Sequence, residues 1–229
     1  MGKILSIESA TDVGSVALHS NGELITVIRT HLEKSHSRLL AKSIAQILQL
    51  SQVDKDELAA IAISSGPGSY TGLRIGVSSA KGLSFALGIP LIAVDTLKIM
   101  AAQVAHFKPG EALLCPMIDA RRMEVYSALY DEELNTVRKV EAEILDESSY
   151  SSLLDKHKII FFGNGAVKLQ RLINHPNAQF LHGIIPDAAF MGRLAFSEFS
   201  NEQFEDTDQF EPNYLKPFHT TKPKNAKVA

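Results

Sequence analysis

The spacing of hydrophobic and polar positions changes several times along this chain, and each change marks an element. Residues 3–9 set Ile4 and Ile7 about Leu5 and stop at the polar turn Ser9-Ala10-Thr11-Asp12, which predicts a strand. Residues 14–20 resume with Val16 and Leu18. Asn21-Gly22 is a strong hairpin signal, and residues 23–30 follow with Leu24, Ile25, Val27 and Ile28. The period then lengthens. Leu40, Ile44, Ile47 and Leu48 form a helical stripe over 37–50, after the capping candidates Ser35 and Ser37. Residues 59–64 are almost wholly apolar, as in a buried parallel strand. The loop Gly66-Pro67-Gly68 leads into a helix over 70–87, a strand over 90–94 and a helix over 96–105.

A second unit begins near Lys108-Pro109-Gly110. Residues 113–118 and 125–130 are strand-like about the charged turn Asp119-Ala120-Arg121-Arg122, and a third strand is predicted over 134–140. Residues 148–155 predict a helix and 158–162 a strand, after which Gly163-Asn164-Gly165 opens a helix toward Ile173. The chain therefore reads as α/β, two βββαβα lobes with a cleft between them, the second less regular. The expected lobes are 1–106 and 107–217, with a flexible tail over 218–229. Pro186 is the expected start of a helix with Met191, Leu194, Ala195 and Phe199 on one face. The tail carries Lys222, Lys224 and Lys227 without an acid and reads as solvated rather than as an RNA contact.

Composition narrows the classes. With 229 residues, 45% hydrophobic and 21% charged, the chain has apolar mass for a real core and is not a disordered protein. A net charge of −3 gives no broad cationic field for unaided nucleic-acid binding. The single cysteine, Cys115, excludes an internal disulfide and fits a reducing compartment. No run approaches the roughly 20 apolar residues that span a bilayer, and no signal-peptide core forms. Met1, Gly2 and Ser6 satisfy a loose myristoylation pattern, but Gly2 directly precedes a strand and reads as its lead-in. A cytoplasmic protein is expected.

Candidate chemistry is sparse. The segment from Gly66 to Gly72 joins a strand to a helix start, where free amides favour an anion, yet it lacks the Lys-Ser/Thr of a Walker loop. Anion cradle and tight turn both fit. Glu8, Asp12 and Asp119 read as holders of a metal-bound phosphate or as exposed turn carboxylates. Arg74, Arg121 and Arg122 read as phosphate ligands or surface ion-pair partners. The 8 histidines include no pair three or four apart, so no helical metal pair is expected, and Cys115 lies in an apolar strand as inert core. Gly72, Gly76 and Ala80 recur every fourth position on one helix. Each interior glycine costs about 1 kcal/mol against alanine, so close backbone approach must offset it, from within the chain or from a partner helix.

Four pieces together resemble the bacterial TsaB (YeaZ) family: Ile4-Leu5-Ser6-Ile7-Glu8-Ser9-Ala10-Thr11, the long block Ser64-Ser65-Gly66-Pro67-Gly68-Ser69-Tyr70-Thr71-Gly72-Leu73-Arg74-Ile75-Gly76, Ile118-Asp119-Ala120-Arg121-Arg122, and Glu211-Pro212-Asn213-Tyr214-Leu215. The resemblance implies the actin/hexokinase/Hsp70 (ASKHA) fold. It also implies kinship to TsaD, the catalytic subunit that moves a threonylcarbamoyl group onto the tRNA adenosine beside the anticodon. The metal-binding His-x-x-x-His of TsaD falls here on Thr96 and Met100, which cannot replace two imidazoles. The implied role is a scaffold without independent activity, bound to a TsaD-like subunit and a TsaE-like ATPase, homodimeric when alone and touching tRNA only indirectly. The implied interface lies on the first two helices at Leu40, Ser43, Ile47, Tyr70, Gly72, Arg74, Gly76, Ser79 and Ala80. One departure is Lys216, where the family more often has arginine. The superfamily's phosphate and adenosine loops fall on Glu8, Ser9, Thr11, Gly163 and Gly165, so ATP is a possible but not an expected ligand. A small-metabolite kinase or ATPase of the same fold is the alternative. A peptidase lacks both a metal pair and a nucleophile motif.

Overall fold

The computed structural model of the chain describes residues 2–31, 36–107 and 110–215. Met1, the capping candidate Ser35, the expected lobe junction at Lys108-Pro109, Lys216 and the lysine-bearing tail lie outside the described residues, as does the side chain of Ser37.

The first sheet contains β1 (Lys3–Glu8), β2 (Val13–Ser20), β3 (Glu23–His31), β4 (Leu58–Ser64) and β5 (Leu91–Val94) in the order β3-β2-β1-β4-β5. β1, β2 and β3 form the antiparallel meander, and β4 and β5 run parallel to β1. Asn21 and Gly22, both left-handed at φ 50° and 83°, make the tight turn that pairs β2 with β3. Leu5, Ile7, Ile61 and Ile63 face one side, where α1 (His36–Ser51) and α2 (Tyr70–Leu87) cover them with Ile44, Ile47, Val77 and Ala80. Ile4, Ala60, Ala62 and Ile92 face the other side. Burial on both faces is what removes polar alternation from the central strands. Ser69 caps α2, its hydroxyl accepting from Gly72 N at 3.4 Å, and left-handed Gly88 ends the helix.

α3 (Thr96–Ala105) joins the lobes, with Ile99 packed beneath the first sheet and Leu97, Met100, Ala101 and Val104 against the second. The second sheet contains β6 (Leu113–Asp119), β7 (Glu124–Tyr130), β8 (Thr136–Ile144), β9 (Ile159–Phe162) and β10 (Ala178–Leu181), ordered β10-β9-β6-β7-β8. Its order repeats that of the first sheet, so the expected duplicated topology is present. β5 and β10 give each lobe one parallel strand more than a βββαβα unit holds. β8 starts later than expected because Leu134 is left-handed (φ 65°) in the preceding turn. α4 (Ser151–Leu154) and α5 (Ala166–Gln170) are single turns rather than full helices.

The end of the chain departs most from expectation. No helix starts at Pro186; a 3-10 turn at Ala188–Phe190 precedes α6 (Gly192–Ser200). Ala188, Met191 and Ala195 pack on Ile4, Ala17 and Ile92, closing the open face of the first sheet. Glu205 then bridges to Leu91, Phe210 joins the core under α2, and Asn213 N donates to Ser65 O at 2.7 Å. The described part of this segment, 188–215, thus packs on the first lobe rather than within the expected second lobe of 107–217. Both exposed faces of a sheet need cover, and here the cover comes from nearly 200 positions downstream of β1.

Candidate functional site

At the carboxyl ends of β1 and β4, the β1–β2 turn meets the start of α2. Ser9 Oγ donates to Gly72 O at 2.9 Å, and Ser69 N donates to Ala10 O at 2.7 Å. A Cβ on Gly68 would lie 2.4 Å from Ala10 O, one on Gly72 2.1 Å from Ser9 O, and one on Gly76 2.0 Å from Ser9 Oγ. No side chain fits at these positions. The glycine stripe is therefore filled from within: Gly72, Gly76 and Ala80 are buried, and the reading of this stripe as an open partner surface is corrected. The spacing signalled close approach correctly, but what approaches is a turn rather than a second helix. Leu40, Ser43 and Ile47 of the expected interface are likewise buried, on the sheet side of α1. Tyr70 and Ser79 are half-buried, and Arg74 is exposed. Sequence reasoning missed the residues that do face outward, Phe85 at 78% and Leu50 at 71% exposure. Their signal was present as apolar positions off the buried stripe. Gly82 also faces outward, with open space where its Cβ would stand.

Glu8 is neither a cleft ligand nor an exposed turn residue. Its carboxyl is wholly buried, Oε1 accepts from Ala10 N at 2.5 Å, and Oε2 has no hydrogen-bond partner. Burial, with a smaller contribution from Asp187, pushes its pKa up to about 7. Thr96 is buried and its hydroxyl accepts from Gly66 N at 3.1 Å. Met100 Cε lies 2.6 Å from where a Cβ on Gly163 would stand, and Met117 O lies 2.3 Å from it. Gly165 is equally tight, with Val125 Cγ1 at 2.9 Å from the same position and its own N donating to Met117 O. The residues of the expected phosphate and adenosine loops are committed to packing: Ser9 bonds to α2, Thr11 donates to Val13 O, and the two glycines press on β6.

Above this packed floor lies a cleft of about 850 Å³ between the lobes. Asp12 and Tyr70 line it from the first lobe, Asp119, Arg121 and Arg122 from the second, and Tyr214 from the C-terminal segment. Asp119 is held by Lys168 Nζ at 2.8 Å and accepts from Arg121 N at 2.6 Å, while its own N donates to Asn164 Oδ1. Arg121 and Arg122 are both left-handed, at φ 73° and 45°. That conformation costs an L-residue about 1–2 kcal/mol, and Asn-Gly would avoid most of it. Neither guanidinium has a carboxylate partner within ion-pair distance among the described residues. At the rim, the Arg74 guanidinium sits 4.4 Å over the Tyr70 ring, Arg74 Nε donates to Tyr214 OH at 3.3 Å, and the two tyrosine rings are 5.1 Å apart.

Cys115 is fully buried and its thiol is pushed up to about 12 by burial, the state of an inert core cysteine. Among the described residues there is no cluster of three His, Cys, Asp or Glu side chains that could hold a metal, and no helix is long and apolar enough to cross a membrane.

Comparison with known proteins places this geometry. Residues 27–217 match the family described as TsaD, tRNA N6-adenosine threonylcarbamoyltransferase. The tRNA threonylcarbamoyladenosine biosynthesis protein TsaB of Bacillus subtilis is 29% identical over 194 residues, covering 84% of this chain and 80% of that one. The Escherichia coli protein of the same name is 37% identical over 138 residues, covering 59% of this chain and 58% of its own length. The solved structure of YeaZ from Pseudomonas aeruginosa superposes with a TM-score of 0.82 at 26% identity, covering 94% of this chain and all of that one. A ROK hexokinase from Thermus thermophilus, at 10% identity and a TM-score of 0.51, shares the fold alone and marks it as actin/hexokinase-like. Paired βββαβ sheets, the glycine-sealed β1–β2 turn and these alignments agree: the chain belongs to the TsaB (YeaZ) family.

Proposed function

We propose that the chain takes part in forming N6-threonylcarbamoyladenosine in tRNA, as a cytoplasmic subunit without catalytic chemistry of its own, bound to a TsaD-like catalytic subunit. The reading is carried by Thr96 and Met100, the positions on which the family resemblance puts the metal-binding histidines of TsaD and whose side chains cannot replace two imidazoles. The Thr96 hydroxyl accepts from a buried loop amide, and the end of the Met100 side chain packs against Gly163. The inert thiol of Cys115 and the biosynthetic name of the relatives support it.

The docking surface is the outward face of α1 and α2. Gly82 is the exposed glycine within α2; it costs about 1 kcal/mol in a helix interior, and none of the described residues comes within 4 Å of its Cβ position. Phe85 stands one turn further on, exposed, with Leu50 on the adjacent helix. A chain lying across this face would gain from both features. Ser79 lies one turn before Gly82, and Tyr70 and Arg74 stand at the start of α2. A TsaE-like ATPase joins the pair, and in the absence of partners the same face closes on a second copy.

The test is the mass in solution after mixing the full chain with its cognate TsaD-like protein. A heterodimer is expected, and Gly82→Leu and Phe85→Asp should each abolish it while the melting temperature of the single chain holds. An unimpaired complex in both variants would remove the docking surface. Turnover of ATP with magnesium by the chain alone would favour the kinase reading instead.

A further inference from the structure

We infer that the mouth of the interlobe cleft is a contact site for a single-stranded RNA segment, with Arg121 and Arg122 on the phosphates and the Tyr70–Tyr214 pair against a base. The inference rests on the tRNA reading above and deepens it. It departs from the expectation that tRNA is touched only indirectly.

The strongest clue is a local conflict. The β6–β7 turn places two consecutive residues in the left-handed region, where asparagine and glycine are at ease, yet both are arginine. Their guanidinium groups make no ion pair among the described residues, so backbone bonds hold the turn and neither side chain contributes an ion pair that would explain an arginine there. The turn is held in place by Asp119, which accepts from Arg121 N and is itself neutralised by Lys168. Two arginines without an ion-pair partner among the described residues, at the lip of an 850 Å³ cleft, suit phosphate oxygens, which guanidinium groups bind in a bidentate manner.

The opposite wall supplies the second half. Tyr70 and Tyr214 line the cleft with their rings in contact, and Arg74 lies across Tyr70 and bonds to the Tyr214 hydroxyl. Aromatic rings backed by arginine are platforms on which unpaired bases stack without sequence preference. A duplex offers no such base face, and competition with ATP separates an RNA strand from a mononucleotide. The net charge of −3 does not oppose this, because the contact depends on local rather than summed charge.

The test uses the full chain and fluorescence anisotropy of a labelled single-stranded oligoribonucleotide, with ATP and inorganic polyphosphate as competitors. Replacing Arg121→Asn together with Arg122→Gly gives the turn residues its backbone prefers. The melting temperature should rise while RNA affinity falls about tenfold, and the slope of log affinity against log salt should flatten by about 1.4. Tyr214→Ala should weaken binding about tenfold through lost stacking. Wild-type affinity in both variants would overturn the inference, as would no binding by the parent chain or displacement of the RNA by equimolar ATP or polyphosphate. Failure to join the TsaD-like protein would sink the reading above and leave these affinities unaltered, so the two failures are distinguishable.

Discussion

Ser9 occupies the space in which a side chain at Gly76 would begin: its hydroxyl oxygen lies 2.0 Å from the Cβ position of that glycine. The two residues are joined by no regular element, yet each fixes the other. The turn after β1 can reach α2 only because the helix has no side chain there, and the helix accepts its glycines only because the turn fills the groove.

Substitution should expose this coupling. Gly72→Ala and Gly76→Ala are each expected to destabilise the fold by about 3 kcal/mol through overpacking, measured by urea denaturation. Ser9→Gly should restore most of the loss in Gly76→Ala, whose main clashes are with the Ser9 side chain. It should not rescue Gly72→Ala, which meets the Ser9 carbonyl. Gly82→Ala should instead raise stability by about 1 kcal/mol.

Glu8 makes stability depend on pH. Its pKa is raised from 4.5 to about 7 in the folded chain, so the folded state holds this proton more tightly than the unfolded one. The stabilisation is complete below 4.5 and is lost as pH rises through 7, a difference on the order of 3 kcal/mol. Denaturation midpoints should therefore fall between pH 5 and 8 for this group. Glu8→Gln should flatten that part of the profile and be the more stable form at pH 8.

Thr96 holds the loop between β4 and α2 through two hydrogen bonds to Gly66, its N donating to Gly66 O and its hydroxyl accepting from Gly66 N. Thr96→Val keeps the shape and leaves that buried amide unpaired, at a cost of about 1–3 kcal/mol. Thr96→Ser should cost distinctly less. Thermal melts of the three proteins decide this.

Cys115, buried with a thiol shifted to about 12, should resist a thiol-reactive disulfide reagent in native buffer and react fully in denaturant. Rapid native labelling would contradict the packing of β6.

Much of the fold was legible because its signals are local. Alternation about Leu5, the Asn21-Gly22 turn, and Ser69 and Gly88 at the ends of α2 each act within a few residues. What escaped depends on distance along the chain. The return of α6 to the first sheet leaves only a helical stripe in the sequence, with nothing to say which sheet it covers. The glycine spacing announced a close neighbour but not its identity, since Ser9 lies 63 positions before its partner Gly72. Glu8 shows the same limit. Its charge suggested exposure, and only the strands around it reveal that it is sealed.

Because the chain begins in the first sheet and comes back to it after β10, the second lobe is topologically an insert, attached by an outgoing and a returning strand of backbone. Gly110, between α3 and β6, and Gly183, after β10, are left-handed at φ 82° and 79°, with nothing among the described residues within 4 Å of their Cβ positions. With α3 wedged against both sheets as well, two passages of chain restrain swivelling of one lobe against the other more than a single linker would, and so hold Arg121 and Tyr214 across a common aperture.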